Sequence, residues 1–190
     1  GLQDLMTNKE ERAVALVEHI PNSVSEHYLA TANVFVHSAP ENGRVEILKV
    51  ENSAVNGSSH VIGLLVYVYQ GGVGKAQYET SSSIVVPLNH IDTTKENHYI
   101  IEYKYNEKKV VVHTYNDNIG QKEVSINTNV ERATSQLLVT LISNDSQSVC
   151  GEFKGFYVIP NPKDIDVNLL FTNENNKFTL KCKAFNIYAT

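Results

Sequence analysis

Apolar residues recur every three or four positions from Thr7 to Ile20. From Tyr28 to the C-terminus they recur at every second position, with turn residues at intervals of roughly eight to twelve. The first spacing predicts a helix. Thr7 and Glu10 have the S/T-x-x-E spacing of a capping box, which places the helix start near Asn8, and Pro21 closes it. Ala13, Val17 and Ile20, flanked by Val14 and Leu16, form its apolar stripe opposite Glu10, Glu11 and Glu18. Such a stripe needs a partner surface, expected to be this chain's own sheet or else a second subunit.

The second spacing predicts strands over 28–36, 44–50, 60–69, 76–86, 98–105, 109–115, 121–126, 135–143, 150–159, 165–171 and 177–188. Between them lie Glu41-Asn42-Gly43, Asn56-Gly57, Gly71-Gly72, Asn106-Glu107, Asn116 to Gly120, Pro160-Asn161-Pro162 and Asn173 to Asn176, which favour hairpins over parallel crossovers. The expected fold is all-β, an antiparallel β-sandwich of jelly-roll or lectin-like type with about 10–11 strands and one N-terminal amphipathic helix. A chain of 190 residues buries enough surface for one core, so a single domain is expected over 1–190, with the helix in 1–21 and the sandwich in 22–190.

Alternation also sorts the aromatic residues. Tyr99, Ile101, Tyr103 and Tyr105 share one face of their strand, with Glu102 and Lys104 on the other. A row of phenols is either core or a contact surface, because each ring buries apolar area while its hydroxyl demands a partner. Together with Tyr115, Asn116, Asp117 and Asn118 of the next strand and turn, Tyr99, Tyr103 and Tyr105 are the expected ligand-binding residues.

Charge narrows the partners. Sixteen basic against twenty-one acidic residues leave a net charge of −5, and the cluster Lys104, Lys108 and Lys109 has Glu102 and Glu107 interleaved with it. Nucleic acid and anionic membranes require a concentrated positive field, so neither is an expected partner. No apolar run reaches the length of a membrane span. Cys182 shares strand parity with Phe178 and Leu180, and Cys150 opens another strand, so a Cys150–Cys182 disulfide is expected, worth about 3–4 kcal/mol by loop closure. The alternative is two buried thiols packing as small hydrophobes. A disulfide implies an extracellular location. Sequons at Asn56 and Asn144, both in turn-rich stretches, are the expected glycosylation sites.

Catalytic and cofactor motifs are sparse. The stretch Gln70 to Ala76 looks like a Gly-rich phosphate loop, but Ala76 stands where a magnesium-binding hydroxyl belongs and a strand follows where a helix is needed, so it reads as a hairpin turn. His19, His27, His37, His60, His90, His98 and His113 show no metal-ligand spacing, and neither a metal nor a cofactor is expected. Glu102 and Glu123 are the first candidates for a carboxylate pair of the glycosidase type, although each also reads as a solvent-facing strand residue. With no nucleophile elbow, the sequence points to a secreted, non-enzymatic binding module, lectin-like or a carrier, with a small-molecule or glycan ligand and a homo- or hetero-oligomeric state. The alternative is a structural or storage subunit of a large capsid-like or egg-type oligomer carrying a hydrophobic cargo.

Overall fold

The computed structural model describes residues 5–6, 14–19, 27–38, 42–53, 59–128, 136–141, 150–160, 177–180 and 187–189, with side-chain detail over 27–36, 42–51 and 61–128. These residues form fourteen strands. They are β1 (Leu5–Met6), β2 (Val14–His19), β3 (His27–Ser38), β4 (Gly43–Ser53), β5 (Ser59–Gln70), β6 (Val73–Glu79), β7 (Val85–Pro87), β8 (Asn97–Lys104), β9 (Lys109–Asn116), β10 (Gly120–Asn127), β11 (Gln136–Leu141), β12 (Cys150–Pro160), β13 (Lys177–Leu180) and β14 (Ile187–Ala189). One seven-stranded sheet has the order β1-β2-β11-β4-β5-β6-β7 and the other β10-β9-β8-β3-β12-β13-β14, with antiparallel pairing throughout.

The two sheets pack as a sandwich. Val45, Ile47, Leu48, Val50, Leu65, Tyr67, Ala76 and Tyr78 of the first meet Tyr28, Ala30, Ala32, Val34, Tyr99, Ile101, Tyr103, Val110 and Val112 of the second in one cluster. Strict alternation along β3, β8 and β9 puts these residues inward. The alternate positions Leu29, Ile100 and Val111 are buried as well, yet stand outside that cluster. The outer face of the second sheet therefore also carries buried apolar positions, between polar ones.

The structure corrects the helix. Val14–His19 is a strand that pairs with Leu5–Met6 on one side and Gln136–Leu141 on the other. Periodicity alone cannot separate a short apolar run in a strand from one in a helix, and here the backbone is satisfied by two neighbouring strands rather than within the segment. Thr7 and Glu10, the capping-box residues, lie outside the described residues. No helix occurs among the described residues, and none long and apolar enough to cross a membrane.

A second correction concerns 76–86, which is two strands joined by a turn. Ser83 adopts φ 64°, Thr80 N–H donates to the Ile84 carbonyl at 3.0 Å, and Thr80 Oγ1 accepts from Ser82 N–H at 3.2 Å. Hydroxyls able to bond their own backbone favour a turn here over continuation of the strand. The expected strand at 165–171, the sequons at Asn56 and Asn144, and Cys182 lie outside the described residues, as does the side chain of Cys150.

Gly71 and Gly72, at φ 58° and 77°, form the two-residue β5–β6 turn that the sequence predicts, with Gln70 paired to Val73. Gly74 has a different role. A Cβ there would collide with the Thr93 hydroxyl and come within 2.8 Å of the Tyr69 ring. Gly74→Ala should therefore cost about 1–3 kcal/mol by overpacking, read as a shift in the urea midpoint. An unchanged midpoint would mean that the 88–96 segment yields freely.

Candidate functional site

Two polar groupings stand out, one between the sheets and one on the outer face of the second sheet. The interior takes three of the seven residues expected to bind ligand, Tyr99, Tyr103 and Asn116. Tyr99 and Tyr103 are buried: Tyr99 OH donates to Tyr67 OH at 2.8 Å, and the Tyr103 ring lies 4.6 Å from that of Tyr28. Asn97 shares its amide hydrogens among Tyr67 OH (3.1 Å) and the carbonyls of Asp92 and Lys95 (both 2.9 Å), and its Oδ1 accepts from Asn116 Nδ2 at 2.9 Å. Asn116 Oδ1 in turn accepts from the backbone N–H groups of Asn118 and Ile119. Burial pushes the Tyr99 and Tyr67 phenols up, so both remain neutral hydrogen-bonding groups.

The expected Tyr- and Asn-rich ligand surface is accordingly not one surface. Tyr99, Tyr103 and Asn116 hold the core and one end of the sandwich, because inward strand parity and neighbouring polar partners satisfy their hydroxyls and amide there. Tyr105 is half-buried beneath the Lys108 ammonium, 3.9 Å from its ring centre. Asp117 and Asn118 are exposed in the β9–β10 turn, where Tyr115 OH meets Asp117 Oδ1 at 3.3 Å. Of the expected set, Tyr115 alone lies in the outer-face row described next.

Register builds the outer face. Asn33 of β3 is opposite His98 of β8, His98 is opposite Tyr115 of β9, and Tyr115 is opposite Gln121 of β10. The His98 and Tyr115 rings lie 5.5 Å apart, tilted by 56°, and both are partly open to solvent. Asn33 is only 4% exposed, and its Nδ2 has no hydrogen-bond partner among the described residues. A buried amide without an acceptor costs on the order of 1–3 kcal/mol.

Further along β8 and β9, Glu102 is gripped by two imidazoles. His27 Nε2 lies 2.7 Å from Oε2, and His113 Nε2 lies 2.9 Å from Oε1. On its other side His113 Nδ1 approaches Glu123 Oε2 at 3.5 Å. Burial raises the Glu102 carboxyl, but the hydrogen bonds from His113 and His27, with the Lys104 charge, outweigh it and hold the group down to about 2. It therefore stays a carboxylate wherever imidazoles titrate. The two carboxylates singled out by sequence are thus brought together, though not as a glycosidase pair, since the His113 ring fills the space a sugar would need between them.

A depressed carboxyl contributes stability above its unfolded value near 4.5, lost as pH falls towards the folded value. Glu102→Gln should remove roughly 1–2 kcal/mol of that stability at neutral pH and much less near pH 2. Acid-titrated unfolding of both proteins checks it. A constant difference between pH 7 and pH 2 would assign the loss to packing instead.

Sequence reasoning missed Asn33, His27, His98 and His113 because it searched the histidines for spacing within a segment. The available signal was cross-strand: a tight turn at Asn106-Glu107 brings the polar face of 98–104 against that of 109–115. Among the described residues no group of three or more His, Cys, Asp or Glu side chains is placed to hold a metal ion.

No family model matches the chain, and no curated protein is similar to it in sequence. Solved structures resemble its fold. An alginate lyase from Pseudomonas aeruginosa superposes with a TM-score of 0.54 at 11% identity over 85% of this chain and 89% of that one. An alginate lyase from Alteromonas sp.272 does so with 0.51 at 12% identity, covering 76% of this chain and 65% of the other. A scytalido-glutamic peptidase reaches 0.49 at 12% identity. The expectation of a non-enzymatic lectin-like, carrier or storage protein is corrected by the two alginate lyases, which share this fold and are enzymes. The two structures that superpose above 0.5 are both of enzymes, and the inference from missing motifs fails because sandwich side chains converge across strands rather than along one segment.

Proposed function

We propose that the chain is a polysaccharide lyase on a jelly-roll sandwich, acting on an acidic, uronate-containing polymer through the outer face of its second sheet. The observation that carries this reading is the cross-strand row Asn33, His98 and Tyr115, in which a buried amide with no partner among the described residues lies beside an imidazole and a phenol. β-Elimination on a uronate needs three functions at one spot. The sugar carboxylate must be stabilised as charge moves onto it, a base must take the proton from the carbon next to that carboxylate, and an acid must protonate the departing glycosidic oxygen.

Each group has a matching role. Asn33 donates its amide hydrogens to the carboxylate, His98 takes the carbon-bound proton, and Tyr115 gives its phenolic proton to the leaving oxygen. Rings 5.5 Å apart can reach atoms on adjacent carbons of one sugar from the same side. The C–O bond breaks as the carbon–carbon double bond forms, and solvent resets both protons. Glu102, held between His27 and His113 further along the same face, ties β8 to β3 and β9 in register. The fold shared with two alginate lyases supports the same choice of substrate class. A polymer of this kind is met outside the cell, which agrees with the expected location.

The test is the product. Incubation with alginate and with other polyuronates should yield ultraviolet-absorbing, 4,5-unsaturated ends in step with new reducing ends. New reducing ends without unsaturation would make the enzyme a hydrolase and overturn the proposal, and no cleavage of any polyuronate would remove it.

A further inference from the structure

We propose a second carbohydrate site, taking one acidic sugar unit of the same polymer, in the depression at the end of the sandwich where the β6–β7 turn, the β8–β9 turn and the end of β10 meet. This depression has a volume of about 460 Å³ and is lined by Ser82, Ile84, Glu107, Lys108, Asn127 and Thr128. That volume is in the range of small-ligand sites. Thr128 is 6% exposed, and its Oγ1 is buried with no hydrogen-bond partner among the described residues, while its backbone N–H is held by the Lys108 carbonyl at 3.0 Å. An anchored backbone with a hydroxyl that no described residue satisfies offers a polar group to a ligand in the depression.

The rest of the lining has the chemistry of a sugar acid. Ser82 and Asn127 offer hydroxyl and amide groups at the rim, and Ile84 provides an apolar patch for a ring face. Glu107 is offset by Lys104 at 3.5 Å and Lys109 at 3.3 Å, so its carboxylate does not leave the depression negative. Lys108 sits at φ 52° in the turn, with its ammonium over the Tyr105 ring rather than on a carboxylate among the described residues. A cation resting on a ring face is held weakly enough to turn to a sugar carboxylate.

The identity of the sugar rests on the lyase reading. From His98 to the turn that carries Lys108, β8 runs on the order of 20 Å, so one chain several sugar units long can occupy both places. Linked sites of this kind raise the local concentration of polymer at the catalytic row without adding contacts there.

The experiment is a titration of the ¹⁵N-labelled His98→Ala protein, whose turnover should be slow enough to leave the substrate intact, with an oligouronate and with a neutral xylo-oligosaccharide. Saturable shifts at Lys108, Asn127 and Thr128 with the oligouronate only, weakened about tenfold or more by Lys108→Asn and by Thr128→Val, are expected. Asparagine tolerates the left-handed backbone at 108, and valine keeps the shape of threonine. In the otherwise wild-type enzyme the same two substitutions should raise KM for the polymer about tenfold and leave turnover of a uronate trimer unchanged. Equal binding of the neutral sugar, or no shifts at these residues, would overturn the second site. Absence of unsaturated product from the wild-type enzyme would instead sink the lyase reading and leave the titration readable.

Discussion

His98→Ala should lower kcat on a polyuronate by about 10²–10⁴-fold, the range for losing one positioned acid or base, with unfolding free energy changed by no more than about 1 kcal/mol. Tyr115→Phe should lower kcat comparably, because it removes one hydroxyl and keeps the ring that packs on His98. The two variants differ in a useful way. If His98 is the base and Tyr115 the acid, the double variant should be little worse than either single one, as for residues that act as a unit. Asn33→Ala should act mainly through stabilisation of the uronate carboxylate, so it should lose most on substrates that carry the free acid and little on the methyl ester. Retention of full activity by His98→Ala would remove the row from the chemistry.

Asn97→Ala should reduce the free energy of unfolding by about 3–5 kcal/mol. The substitution removes the amide donor from the carbonyls of Asp92 and Lys95, the first of which keeps only the Lys95 N–H at 3.2 Å, and removes the acceptor of the Asn116 amide. Asn116 then loses the group that orients it, and with it the turn at 117–119 that leads into β10. Tyr67→Phe should cost less, about 1–2 kcal/mol, since only the bonds from Asn97 and Tyr99 are lost. Urea unfolding of both single variants and the double variant checks the coupling, which should be on the order of 1 kcal/mol or more. Additive losses, or an Asn97→Ala cost below about 1 kcal/mol, would mean that water replaces these partners.

Both predictions concern residues of the same strand that point in opposite directions. His98 lies on the outer face and Asn97 inside, and a shift of pairing by one residue would exchange them. The Glu102 cluster matters for this reason: a carboxylate bonded to β3 and β9 from the middle of β8 fixes that register where the row Asn33, His98 and Tyr115 depends on it.

The sequence by itself determined the alternation. It placed β3, β4, β5, β8, β9, β10, β11 and β12 to within a few residues, identified Gly71-Gly72 as a turn, and separated Tyr99 and Tyr103 from Glu102 and Lys104 on opposite faces. These are local properties, written in side-chain period and in residues able to take positive φ. The segment from Val14 to His19 was beyond its reach, because a short apolar run fits either period and its partners lie at Leu5–Met6 and Gln136–Leu141. So was the proposed site. His27, Glu102 and His113 are separated by up to 86 positions, and Asn33, His98 and Tyr115 by up to 82, with nothing within any one segment to mark them. Only the strand order β9-β8-β3, a consequence of which edges found partners as the sheets closed on a common core, brings those side chains to one face.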